Sequence, residues 1–407
     1  MKRLHKHRSL ISYFSFSMAT SALGFVAALV MMRLMPPEEF GRIALFLSMQ
    51  FIAVPLISFA ADSLVAINKS KLDTAEYEYF RCSYVTFAYL MLAVVQISFI
   101  FFYAIGILQD GLLLLIPVYG LIRFLIGMAS TEFVMEEKAI RYGVVAFSTT
   151  LTSLALTVVL LSVFSGVADW RIVSLLLADI LFLFVRYRGR LKLLWTFSLD
   201  KGVFKDIVRF GFPLLLSVAP AWALNESDKI IVAQYADMAS LGYYAAACAI
   251  GSIMITFNIA MLNALTPKIY AALGNEPGAM LSTVKRYVVK FLGAASAFGV
   301  LFIIAYWLTA DLILPEKYIA ARQIVYVVIL FSLGRGLYSV LGLVTDYYGM
   351  TMVKLKSVVY GGITTVVVAV IGVVKIGVIG VAIGVGSGYL VLSSLLWFAL
   401  KEKSSTL

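Results

Sequence analysis

Histidine, cysteine and charge are all scarce in these 407 residues, and each scarcity removes a class of chemistry. Two histidines are present, His5 and His7, both in the N-terminal tail. That excludes a Ser-His-Asp triad, an HExxH zinc site and any histidine-based metal site in the body of the chain. Two cysteines, Cys82 and Cys248, lie within or beside apolar runs, so neither a disulfide framework nor a CxxC redox motif can be built. Charged residues make up 14% of the chain, against about a quarter in soluble domains.

What fills the space is hydrocarbon. Hydrophobic residues reach 62% and mean hydropathy is +0.97, which identifies an integral membrane protein. Crossing roughly 30 Å of hydrocarbon at about 1.5 Å per residue takes around 20 residues, and the apolar runs have that length. The expected fold is an all-α polytopic membrane protein with twelve spans, near 10–33, 43–67, 82–107, 112–131, 143–164, 171–187, 211–235, 240–266, 287–309, 320–345, 354–374 and 377–400. The start "MKRLHKHRSLISYF" has the basic flank of a signal peptide, but the apolar run that follows is too long for one, so a retained first span is expected.

With both termini on the cytoplasmic side, 24 Lys and Arg fall in the inner segments and six outside: Arg33, Arg42, Arg171, Lys317, Arg322 and Lys375. That asymmetry obeys the positive-inside rule. The longest inner connection, Arg186 to Phe210, carries seven basic residues against two acidic ones, interleaved with Leu, Trp and Phe, and suits anionic headgroups. It divides the chain into an N-terminal bundle (1–187), a basic cytoplasmic linker (188–210) and a C-terminal bundle (211–407). The halves share a motif: Phe40-Gly41-x-x-Ala44 matches Leu241-Gly242-x-x-Ala245 at an offset of 201 residues. Repeats with even numbers of spans share one orientation, which places a substrate at their interface.

Three cations remain inside spans: Arg123, Lys229 and Arg335. The seventh span also carries Asn225, Glu226 and Asp228. On a continuous helix Trp222, Asn225, Glu226, Asp228 and Lys229 share one face, and Ser227 points away. A charge at the bilayer centre costs about 2.5–3.5 kcal/mol or more, so that face must look into a polar cavity or close on itself as a structural ion pair. Arg123 lies a helical turn from Tyr119, Arg335 near Tyr338 and Ser339, and Asp179 midway through the sixth span. Deep arginines need anionic partners, and two of them in different halves suit an anionic ligand. Asn258 and Asn263 are further hydrogen-bonding candidates or interhelical contacts. The many aromatics belong to interfacial belts by default, yet Tyr119, Tyr338, Trp222 and Tyr243 accompany polar residues and would suit sugar rings.

"RLMPPEEFG", "NESDKIIVAQYADMASLGYYAAA", the twelve spans and the basic linker together resemble the polysaccharide-exporter branch of the multidrug/oligosaccharidyl-lipid/polysaccharide (MOP) exporter superfamily, the Wzx-type O-antigen flippases. The family's Asp-Lys or Asp-Arg pair in the seventh span falls on Asp228 and Lys229, while Glu226 departs from the pattern. The resemblance implies two six-helix bundles around a central cavity and alternating access. It implies movement of undecaprenyl-diphosphate-linked repeat units from the cytoplasmic to the periplasmic leaflet of a bacterial inner membrane. Substrate would be bound by Arg123, Lys229, Arg335, Asn225, Tyr119, Trp222 and Tyr338, with Asp228, Glu226 and Asp179 as the coupling relay. No cofactor or metal is expected, only an ion gradient or membrane potential. The partners are the lipid-linked glycan, the bilayer, a polysaccharide polymerase and a chain-length regulator, with no nucleic acid. The alternatives are a drug/cation antiporter, whose cavity should be led by carboxylates, and a membrane polymerase or ligase, for which the longest outer loop, near 310–319, is short.

Overall fold

A computed structural model describes residues 2–164, 166–188, 197–198, 200–275 and 280–404. Every α-helix and 3-10 turn among them belongs to an all-helical chain, with no strand among the described residues. In order the helices are α1 (Lys2–Leu34), α2 (Pro37–Ser58), α3 (Ser63–Lys71), α4 (Thr74–Ala104), α5 (Ile116–Met135), α6 (Ala139–Val163), α7 (Ala168–Arg186), α8 (Lys201–Asn225), α9 (Ser227–Tyr235), α10 (Met238–Asn275), α11 (Met280–Ile313), α12 (Ala321–Tyr347), α13 (Thr351–Ile376) and α14 (Val378–Ser404). Ten segments are long and apolar enough to cross a bilayer on their own. The other two expected spans lie in α1, whose described apolar part is Met18–Leu34, and in α7, which carries four charges in 19 residues. Large apolar side chains such as Val94, Ile97, Leu301 and Leu308 are exposed, as they must be where lipid is the solvent.

The chain forms two compact units. One comprises Met1–Met35 and Phe46–Ala219, the other Pro36–Leu45 and Pro220–Leu407. The division falls inside α8, not in the basic linker. The linker itself is shorter than its charge pattern suggests, because Lys201–Phe210 is already helix. Asp200 accepts the backbone N–H groups of Gly202 (2.6 Å) and Val203 (2.9 Å), which caps that helix, and the apolar Ile207 is fully buried. Ser198 and Asp200 are strapped to α4 through Thr86 Oγ1 (3.0 Å) and the Tyr79 hydroxyl (2.8 Å). Residues 189–196 and 199 of the expected linker lie outside the described residues.

In the first unit, α3, α4, α5 and α7 enclose a core of Tyr84, Val85, Phe124, Met128 and Phe182, with the Tyr84 hydroxyl donating to the Ser58 carbonyl at 2.7 Å. The second unit packs Met254, Phe291, Val340 and Leu392 from α10, α11, α12 and α14. Its tightest pair is α13 and α14, where Gly372 and Gly380 bring backbone against backbone, so that a Cβ on either would overlap the other residue.

The motif repeated at an offset of 201 residues has a structural counterpart. α1 ends at Leu34 and α9 at Tyr235; α2 begins at Pro37 and α10 at Met238; both pairs of boundaries are 201 residues apart. The two glycines meet reciprocally. A Cβ on Gly41 would overlap the Met238 carbonyl oxygen, and one on Gly242 would overlap the Pro37 carbonyl oxygen, the equivalent atom. Nearby, Phe40 and Tyr243 both pack edge-on against Tyr318, with centroids at 6.0 and 6.2 Å.

Candidate functional site

The polar cluster of the seventh pass sits at a helix break. α8 ends at Asn225 and α9 starts at Ser227, with Glu226 at φ −134° and ψ −11° between them. The local sequence explains the interruption: Asn, Ser and Asp side chains compete with the helical backbone for its hydrogen bonds. Asn225 Nδ2 donates back to the Ala221 carbonyl at 2.7 Å, the Ser227 hydroxyl donates to the Ala223 carbonyl, and Asp228 Oδ1 accepts the Lys229 N–H at 2.8 Å. Lys229 Nζ then closes the break, donating to Glu226 Oε2 at 2.8 Å and Asp228 Oδ1 at 3.3 Å.

Around the break lies a cavity of ≈220 Å³ within the C-terminal unit, lined by Asn225, Glu226, Asp228, Lys229, Arg335 and Tyr389 among others. Two tyrosines from distant helices hold its ends. Tyr244 on α10 donates to Asp228 Oδ2 at 2.7 Å, and Tyr389 on α14 donates to Asn225 Oδ1 at 2.7 Å. Asp228 is 4% exposed and therefore depends on these contacts. Arg335 enters from α12. Its guanidinium stands 5.9 Å from the Tyr389 ring centroid and has no carboxylate within ion-pair distance among the described residues. The cavity therefore holds two carboxylates and two cations, but one cation is committed to both carboxylates and the other to neither.

The remaining sequence candidates are elsewhere. Arg123 and Asp179 pair with each other in the N-terminal unit at 3.4 Å, with the Tyr119 hydroxyl beside Asp179 and the Tyr119 ring 5.7 Å from that of Phe46. An excess of cations over carboxylates, expected from counting Arg123 with Lys229 and Arg335, is thus balanced by Asp179 in one unit and by Glu226 and Asp228 in the other. Trp222 is not among the cavity-lining residues, because the break at Glu226 ends the continuous wheel that grouped it with Lys229. Tyr338 faces a second cavity of ≈310 Å³ with Asn263, Asp346 and Lys354, although its ring is 6.1 Å from that of Tyr389. Asn258 bridges helices by donating to the Ser332 carbonyl at 2.9 Å. Arg171, counted with the outer-side cations, turns into the packing of α6 and α7, donating to Ser153 Oγ at 2.9 Å and Thr157 Oγ1 at 2.6 Å. Tyr244, Tyr389 and Cys248 of the main cavity went unnoticed in the sequence. Tyr244 alone has a readable signal, since it follows Asp228 across a short hairpin.

With this geometry in view, the relatives can be compared. The family model described as "Polysaccharide biosynthesis protein" matches residues 30–294. An uncharacterized membrane protein of Haemophilus influenzae is 28% identical over 143 residues, 34% of this chain, and the match spans 35% of that relative's length. The inward closed conformation of the lipid II flippase MurJ superposes with a TM-score of 0.72 at 14% identity, over 95% of this chain and 87% of that one. An inward-facing multidrug resistance MATE family transporter of the MOP superfamily gives a TM-score of 0.68 at 16% identity, over 97% and 98% of the two chains. At these identities the likeness is one of fold: the chain has the MOP-type, MurJ- and MATE-like helical fold.

Proposed function

Because the chain belongs to the family of polysaccharide biosynthesis proteins, we propose that it flips an undecaprenyl-diphosphate-linked oligosaccharide, an O-antigen or related repeat unit, from the cytoplasmic to the periplasmic leaflet of a bacterial inner membrane. The observation that carries this reading is Arg335. Its guanidinium is permanently charged, faces a cavity, and has its donor fork uncommitted. A diphosphate offers the paired oxygens that such a fork takes up bidentately. At ≈220 Å³ the cavity is below the roughly 300–1,000 Å³ of pockets that enclose drug-sized ligands, so it would hold the diphosphate end and leave sugars and prenyl chain outside it.

Lys229 plays a different part in this proposal. Bound to Glu226 and Asp228, it keeps the two carboxylates charged and their oxygens occupied. Movement of Lys229 between them and the incoming anion is the coupling step, driven by an ion gradient or the membrane potential. A drug/cation antiporter is the second reading, since both carboxylates line the cavity, but a cationic substrate would first have to displace Lys229. Both termini are assigned to the cytoplasm. Cysteines placed at Asp110, Asp237 and Glu316 should react with an impermeant reagent from outside, and those at Lys285 and Lys354 should not.

The test is an inventory of lipid-linked oligosaccharide in a deletion strain carrying the gene or its variants. The intact protein should clear the inner leaflet. Arg335→Ala should abolish clearance at normal protein level, and Arg335→Lys should restore little of it because the fork is lost. Clearance by Arg335→Ala at the parental rate would remove Arg335 from substrate binding.

A further inference from the structure

A second polar pocket lies in the N-terminal unit, remote in sequence from every residue of the cavity around Glu226. Arg81 on α4, Glu132 on α5, Arg186 at the end of α7 and Tyr187 just beyond it line a pocket of ≈280 Å³, together with Lys69 and Tyr77. The Arg81 side chain is 6% exposed and that of Glu132 4%. Glu132 is saturated: Oε1 accepts the Tyr77 hydroxyl at 3.1 Å and Oε2 accepts Arg186 Nη2 at 2.8 Å. Arg81 Nε comes no nearer to it than 3.9 Å.

The surroundings leave donors without acceptors. Arg81 Nε and Nη2, Arg186 Nε and the Tyr187 hydroxyl are buried and make no hydrogen bond. The guanidinium of Arg81 stacks 4.9 Å from the Tyr187 ring centroid, and that of Arg186 lies between the Phe133 and Tyr187 rings at 4.6 and 5.3 Å. Rings can hold a guanidinium in place, but they do not accept its in-plane N–H groups. The other carboxylates do not fill the gap. Glu136 is engaged by Lys138 at 2.6 Å and Lys69 at 3.5 Å, and Glu78 has a partner of its own. Leaving charged donors buried and unmatched is costly, and a set of them around one opening is what an oxyanion site looks like without its anion.

We propose that this pocket binds a phosphate group through Arg81, Arg186 and Tyr187. The two guanidinium groups offer forks that match phosphate oxygens, and the tyrosine hydroxyl adds a third donor. Free phosphate or diphosphate and the phosphodiester of an anionic lipid share this chemistry. The pocket stands at the end of the unit formed by the start of α4 and the ends of α5 and α7, beside the basic connection to α8. That is the end the charge asymmetry assigns to the cytoplasmic surface, where both sources are at hand.

The test uses the full chain in nanodiscs of phosphatidylcholine alone or with added phosphatidylglycerol. Inorganic pyrophosphate binding is followed by titration and phosphatidylglycerol retention by native mass spectrometry. All measurements are made in the Arg335→Ala background, so that an anion at the cavity of the C-terminal unit cannot contribute. Tyr187→Phe keeps the ring under both guanidinium groups and removes only the hydroxyl. It should weaken the bound species about tenfold without moving the unfolding midpoint. Arg186→Gln should weaken it further. Saturable pyrophosphate binding in both lipids, weakened by Tyr187→Phe, identifies a free phosphate ligand. Selective retention of phosphatidylglycerol with the same sensitivity identifies a lipid headgroup. Absence of both, or binding that Tyr187→Phe and Arg186→Gln leave unchanged, overturns the proposal while leaving the flippase reading untouched.

Discussion

The first and seventh membrane passes occupy matching places in the repeat, yet they treat the same stretch in opposite ways. At the 201-residue offset, Asn225 to Lys229 correspond to Gly24 to Ala28. The first copy reads Gly-Phe-Val-Ala-Ala, runs as unbroken α1, and buries Ala27 and Ala28 at 4% and 7% exposure. The second reads Asn-Glu-Ser-Asp-Lys, breaks at Glu226, and opens a cavity. The shared hairpin supplies a frame, and the charges have been placed in one copy only. Polar machinery here is an addition to a duplicated scaffold, at the cost of a helix interrupted inside the hydrocarbon.

The largest way to test that contrast is to take the addition apart. Lys229→Met or Asp228→Leu alone leaves a buried charge without its partner and should destabilise by about 3–5 kcal/mol, read as loss of inserted protein. The double variant should recover most of that stability, since removing both members of a buried pair is often nearly neutral. If it is stable but fails to clear the lipid-linked sugar, the cluster serves transport; clearance at the parental rate would make it a packing device. Writing the second copy's lysine into the first is next in size. Ala28→Lys has no Glu226 or Asp228 to meet it and should cost about 2.5–3.5 kcal/mol, seen as reduced membrane insertion. Gly242→Ala should cost about 1–3 kcal/mol through its clash with the Pro37 carbonyl, measured by thermal unfolding in detergent. Gly24→Ala should be neutral, because nothing lies within 4 Å of its Cβ position. The smallest effect is expected from Asp200→Asn. The Val203 N–H, followed by the Tyr79 hydroxyl, holds that carboxyl below the usual aspartate range. Its contribution is present above the ordinary aspartate pKa and is lost as pH falls through the lowered value. Asp200→Asn should therefore flatten the acid side of the stability profile slightly.

The twelve passes could be read from the sequence because bilayer thickness imposes one length scale on every apolar run. The cluster at Asn225–Lys229 could be read because charge inside such a run is rare. Its geometry could not. Helical periodicity assumes an unbroken helix, and the turn at Glu226 depends on local competition for backbone hydrogen bonds, which removed Trp222 from the face it was assigned to. The partners of the cluster were hidden by distance, since Tyr389 reaches Asn225 across 164 residues. Arg123 and Asp179, 56 residues apart, could be suspected separately but not paired. Arg81, Glu132 and Arg186 were hidden for another reason. Each lies near the end of an apolar run, where charge is ordinary, and only the fold makes them buried neighbours.

The reciprocal glycine contact ties the inheritance of the two halves together. Each glycine leaves room for a carbonyl that belongs to the other copy's motif, so neither position can accept a side chain unless the opposite backbone shifts. Elsewhere the copies have been free to drift, as Gly24–Ala28 and Asn225–Lys229 did. At Gly41 and Gly242 a mutation in one half is judged by the geometry of the other. The pair therefore behaves as a single heritable unit split between two distant places in the gene, and it is where traces of the original duplication should erode last.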